Sequence, residues 1–106
     1  MAKYLVLASY SSDGIKGVVK TGGTARSNAV KAAVESAGGR MESFYFGFGE
    51  TDAYVVVDLP DNTAAAAVGL AVSSTGLATT RTVVLLTPSE IDDAAKRQVG
   101  YTPPGS

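Results

Sequence analysis
The sequence predicts an α+β domain in which helices cover one side of an open, antiparallel β-sheet. Three observations carry that class. Short segments alternate apolar with polar residues, the period of a strand with one buried face. Alanine-rich runs between them repeat their apolar positions at helical spacing. Clusters of Gly, Pro, Asp and Ser mark the junctions. With 106 residues the chain is long enough for one core and too short for two. Apolar residues make up 45% of it, enough for collapse, but much of that is alanine. Such a core is marginal, and association would add stability.

Residues 3–10 (KYLVLASY) read as a first strand, with Tyr4, Val6, Ala8 and Tyr10 on one face and Leu5 and Leu7 on the other. Ser11-Ser12-Asp13-Gly14 is turn and cap chemistry leading into a short helical turn over residues 15–20. Gly22-Gly23 breaks that turn, and Thr24 is placed to cap a second helix. There Ala25, Ala29, Val30, Ala33, Val34 and Ala37 form the apolar face, with Arg26, Lys31 and Glu35 on the other side. Gly38-Gly39 ends it. Residues 40–48 (RMESFYFGF) read as a second strand with an aromatic stripe at Phe44, Phe46 and Phe48. The compact turn of residues 49–52 and the strand of residues 53–59 (AYVVVDL) complete an antiparallel hairpin. Pro60-Asp61-Asn62 stops the strand and caps an alanine-rich helix over residues 63–74. Residues 77–86 form the fourth strand. Thr87-Pro88-Ser89-Glu90 fits a capping box for a last helix reaching about residue 99, before an extended tail at 100–106.

The resulting order, βαββαβ with an additional C-terminal helix, is the ferredoxin-like pattern: a four-stranded antiparallel sheet with two helices on one face. One domain is expected over residues 1–99. The other sheet face is left uncovered, and carries either Phe44, Phe46 and Phe48 or the alternate set Met41, Tyr45 and part of the Tyr54 strand. An apolar patch of that kind marks an interface or a binding site. The expectation is a homodimer whose sheets pack face to face around a cavity.

Composition excludes several function classes. Nine basic residues balance ten acidic ones, with no basic run, so nucleic acid and anionic membrane are not expected as partners. There is no cysteine and no histidine. Disulfides, thiolate nucleophiles, ordinary zinc or haem sites and an imidazole base are therefore not expected. No metal site and no cofactor is called for. Neither a signal peptide nor a membrane-length apolar run is visible, which makes a cytoplasmic location the expectation.

Glu42-Ser43-Phe44-Tyr45-Phe46, Phe48-Gly49-Glu50-Thr51-Asp52, Asp58-Leu59-Pro60-Asp61 and the stretch from Thr82 to Pro88 together resemble the GYD family of small bacterial proteins. The resemblance spans nearly the whole chain. It implies a fold of the dimeric α/β-barrel type and brings no established reaction, cofactor or substrate. Gly49 and Asp52 look like the first and last members of the Gly/Tyr/Asp signature, while its tyrosine position falls on Thr51, a departure from the family pattern.

The candidate site residues fall into three groups. Asp52, beside Gly49, is either a general base at the hairpin mouth, desolvated by the nearby aromatics, or a turn acceptor for backbone amides. Glu42, Tyr45 and Tyr54 place polar atoms on strands that can face a cavity, with Glu42 as a second catalytic candidate and the tyrosines as ligand-binding ones. A plain aromatic sheet surface buried in a dimer accounts for the tyrosines equally directly. Arg81 is a cation in a β-branched strand and needs a carboxylate (Glu42, Asp52 or Asp58), an anionic ligand, or solvent. Lys16 and Lys20 read as solvated charges, and Pro103-Pro104 as a polyproline ligand or an arm on a partner subunit.

Two classes of function follow. One is a homo-oligomeric module that binds a small organic molecule or builds an assembly. The other is a cofactor-independent isomerase, decarboxylase or monooxygenase acting on a small aromatic or carbonyl compound, with Asp52, Glu42 or a tyrosine as its acid–base group.

Overall fold
Strands form where the alternation is cleanest, and helices where alanine dominates. The computed structural model describes residues 1–105; Ser106, the last residue of the expected tail, lies outside them. In chain order the elements are β1 (Ala2–Tyr10), α1 (Ser12–Thr21), α2 (Gly23–Ser36), β2 (Arg40–Phe46), β3 (Ala53–Leu59), α3 (Asn62–Ser73), β4 (Ala78–Leu85) and α4 (Pro88–Ala95). The four strands make one antiparallel sheet in the order β2-β3-β1-β4, which fits the ferredoxin-like pattern. Among the described residues, no helix is long and apolar enough to cross a membrane.

Local chemistry sets the helix ends. Ser11 accepts from Gly14 N–H, so α1 begins at Ser12 and is longer than the turn expected at residues 15–20. Gly14 is buried under the start of β4: a Cβ there would lie 2.1 Å from the Leu77 carbonyl oxygen, so only glycine fits. Thr24 does not cap α2; the helix starts one residue earlier, after Gly22, with no side-chain cap. Asp61 caps α3 by accepting from Ala64 N–H. The capping box of Thr87 and Glu90 is formed, with Pro88 at the start of α4, but the helix ends at Ala95, short of residue 99.

The core lies between the sheet and the α2–α3 layer. Tyr4, Val34, Val55, Val57 and Leu59 form its buried centre, with Val6, Val30, Phe44 and Val68 packed around it. Tyr4 is fully buried, and its hydroxyl donates to Asn62 Oδ1 at 2.6 Å, which anchors the start of α3 to β1. The two helices lean apart. Helix α2 packs on β2 and α1, α3 on β4 and β3, and a trough of about 820 Å³ runs between them.

Register assigns every strand residue to a face. On β1, Tyr4, Val6 and Ala8 pair with Val57, Val55 and Ala53 and face the helices. Phe44 and Phe46 pair with Val55 and Ala53 and face the same way. Met41 joins them through its pairing with Val57, because a β-bulge between Met41 and Ser43 adds one residue and inverts the alternation. The open face therefore carries Tyr45 and Tyr54 without Met41, and β2 ends at Phe46, leaving Phe48 fully exposed in the hairpin loop.

Candidate functional site
On the open face the strands align into rows. Tyr45 pairs with Tyr54, Tyr54 with Leu7, and Leu7 with Arg81, so one row crosses all four strands. At the strand spacing it spans roughly 15 Å. The next row is apolar: Ser43 beside Val56, then Leu5, then Val83. Beyond it, Arg40, Asp58, Lys3 and Leu85 form a charged end. The three ligand-binding candidates Tyr45, Tyr54 and Arg81, distant in sequence, thus stand in one line on one surface. Tyr45 is 70% exposed and Tyr54 37%, with Leu7 half-buried between the tyrosines and Arg81.

The charged end is closed on itself. Lys3 Nζ lies 3.0 Å from Asp58 Oδ1 and 3.2 Å from Glu42 Oε2, and Arg40 Nη2 lies 3.2 Å from Asp58 Oδ2. The Lys3 hydrogen bond holds the buried Asp58 carboxyl below the usual carboxylate range; burial opposes this and Arg40 adds to it. The same bond to Asp58, with help from Glu42, raises Lys3 above the ordinary lysine range. Glu42, on the bulge, is therefore an ion-pair partner of Lys3. Asp58, a residue for which the sequence suggested only a pairing role, is the buried hub.

Asp52 sits at the end of the sheet, where β3 has not yet begun. Its N–H donates to Ala8 O and its carbonyl accepts from Gly47 N–H, both at 2.9 Å. Its carboxylate accepts from Tyr10 N–H at 2.8 Å. The side chain thus extends the β1–β3 ladder by one bond beyond the last backbone pair. Gly49 takes a positive φ of 93° at the tip, Ser9 Oγ donates to Glu50 O at 2.6 Å, and Thr51 is half-buried beside them. The signature turn is stitched to β1, and neither Asp52 nor Glu42 lines the α2–α3 trough or the apolar spaces around the core.

Arg81 receives none of the carboxylates the sequence offered it. Glu42 and Asp58 are held by Lys3 and Arg40, Asp52 by an amide, and Arg81 makes no ion pair among the described residues. A guanidinium at the edge-strand end of an exposed row, flanked by Leu7 and Val83, has its fork of donors free for a carboxylate, phosphate or polar ligand. No group of three or more carboxylates stands together to hold a metal ion among the described residues.

A cation on the helix side escaped the sequence reading. Arg26, expected on the solvent side of α2, turns inward instead: its Nε donates to Tyr10 Oη at 3.0 Å and its guanidinium lies 5.3 Å from the Tyr10 ring centre. It lines the α2–α3 trough. The helical spacing does mark it: Arg26 lies four and eight residues before Val30 and Val34 and so shares their inward face, at the end nearest Tyr10.

No curated protein and no solved structure matches the chain. The model of the GYD domain matches residues 4–95, which takes in the sheet apart from the first two residues of β1, the turn of residues 49–52 and α4. On that match the chain belongs to the GYD domain family.

Proposed function
We propose that the chain is a homo-oligomeric binding module, in which two sheets meet through their open faces and hold a small organic molecule against the row of Tyr45, Tyr54, Leu7 and Arg81. The observation that carries the reading is that row: two exposed tyrosines and an unpaired arginine aligned on an uncovered surface beside Leu5, Val56 and Val83. Leu5, Leu7, Val56 and Val83 supply the apolar area that a partner sheet would cover. Arg81 supplies a fixed positive charge, and the tyrosine rings supply flat apolar walls with a polar tip. The fitting ligand is a small molecule with an aromatic or apolar body and an anionic or carbonyl group.

The enzymatic alternative has less to work with, since both named carboxylates already have partners in the fold. Native mass spectrometry of the purified chain tests the binding reading directly, because it reports stoichiometry and any retained small molecule in one measurement. A dimer or larger species is expected, and Leu7→Lys, which puts a second charge beside Arg81, is expected to break the sheet-to-sheet contact and lower the mass. A wild-type chain that stays monomeric at tens of micromolar would sink the proposal.

A further inference from the structure
We infer that helix α4 of one copy lies in the trough between α2 and α3 of a second copy. Two features of the fold are each incomplete alone. Every residue from 86 to 105 is exposed, including Leu86, Ile91, Val99 and Tyr101. The radius of gyration is 16.8 Å, against about 13 Å for a compact chain of this length. Helix α4 therefore stands off the body. It has eight residues, fewer than the roughly 12–15 an isolated helix needs in water. Yet its start is fully built, with the capping box closed at 3.0 and 3.1 Å. A short, well-capped helix with Pro88, Ile91, Ala94 and Ala95 on one side is made to pack against something.

The trough is the other incomplete half. Ala25, Ala29 and Ala33 wall it on α2, and Ala67 and Ala71 on α3. Side chains this small let a third helix approach closely, since the side chains at the contact set the distance between helix axes. Its charges match those of α4. Arg26, with no carboxylate partner among the described residues, and Asp13 are its two charged groups. On α4, Asp92 flanks the apolar side and Lys96 follows one turn later, so Asp92 can meet Arg26 while Lys96 meets Asp13. Glu90, on the other flank, is already occupied by its own cap. The remaining groove, about 470 Å³ between α3 and β4, has no charged lining residue to meet either group.

The occupant has to come from another copy. Only Leu86 and Thr87 join β4 to α4, a reach of about 10 Å. Of β4 only Ala78, at the end far from α4, lines the trough; α3 packs over the rest of the strand, and a helix with side chains is about 10–12 Å across. A chain cannot place its own α4 there without melting the end of β4. Because the trough is on the side opposite the open sheet face, this contact is separate from the sheet-to-sheet one, and the two together would build assemblies larger than a dimer.

A charge-reversal cycle tests the pairing, with mass read by light scattering or sedimentation equilibrium. It is run in the full chain and again in the Leu7→Lys background, so that loss of the sheet contact and loss of the trough contact are read separately. Arg26→Asp and Asp92→Arg are each expected to weaken self-association about tenfold or more, and the double variant to restore it. Should Arg26→Asp fail to fold, Asp92→Arg still reports, because it lies on a helix that the body does not touch. Truncation after Leu86 should abolish the Leu7→Lys self-association. Unchanged mass in both single variants, or no rescue in the double, overturns the inference. So does a trough that is filled by a free carboxylate: benzoate raising the unfolding midpoint through Arg26 while truncation leaves the mass unchanged.

Discussion
The two faces of the sheet are built from the same strands and end in different states. On the helix side Tyr4, Val55, Val57 and Leu59 are at most 3% exposed, and the one buried hydroxyl, on Tyr4, has its acceptor in Asn62. On the open side Tyr45, Tyr54 and Val83 are 70%, 37% and 38% exposed, and the charges are sorted: paired around Asp58 at one end, unpaired at Arg81 on the edge strand β4. The closed face satisfies its chemistry within the chain. The open face leaves apolar area and a cation exposed to solvent, which is why the candidate site is sought there.

The largest expected effect separates the faces by stability. Leu59→Ala removes a fully buried side chain and is expected to cost about 3 kcal/mol. Leu5→Ala on the open face should cost the dilute monomer about 1 kcal/mol or less, since solvent already reaches that position. Urea unfolding at low concentration measures both. Equal costs would mean that the open face is as well packed as the core, and the contrast would be lost.

Much of this contrast was legible in the sequence, and its limits have physical causes. Alternation on β1 placed Tyr4, Val6 and Ala8 against Leu5 and Leu7 correctly, because an uninterrupted strand keeps period two. On β2 the same rule misplaced Met41, since the bulge inserts a residue that no local pattern announces. Tyr45, Tyr54 and Arg81 were recognisable one by one as unusual strand residues. Their alignment in one row was not, because it depends on the registers of three strand pairs. Arg26 belongs by helical spacing to the face of Val30 and Val34, and its charge alone argued for the solvent side.

The signature turn offers a second, smaller contrast, between a side chain used by the fold and one left free. Asp52→Ala leaves Tyr10 N–H without its acceptor and is expected to cost about 2 kcal/mol. Asp52→Asn keeps a carbonyl oxygen in place and should cost much less. If the two variants are equally destabilised, the negative charge itself matters, and the hydrogen bond alone does not explain the residue. Arg81→Ala should leave the unfolding midpoint of the monomer nearly unchanged, because no protein group depends on it; a marked loss would mean that Arg81 has a structural partner.

The contrast at Asp58 is sharpest in its pH dependence. Asp58 has its folded pKa lowered, chiefly by the Lys3 hydrogen bond, so its contribution is complete above the unfolded value and is lost as pH falls through the folded one. Lys3 has its folded pKa raised, so its share is complete below the unfolded lysine value and is lost as pH rises through the folded one. Between roughly pH 5 and pH 9 both contributions are present in full. Asp58→Asn should therefore lower the unfolding midpoint by a constant amount across that window. Below about pH 4 the difference from wild type should shrink, because the unfolded wild-type chain takes up a proton at Asp58 before the folded one does. The variant's Lys3 keeps Glu42, so the alkaline limb should remain, but weakened. Arg81→Ala, measured beside it, should show no such acid limb, since its guanidinium has no carboxylate partner. A wild-type-to-variant gap for Asp58→Asn that persists undiminished at pH 3 would show that the residue acts through packing. The charged end of the open face would then lose its claim to be closed by ion pairing.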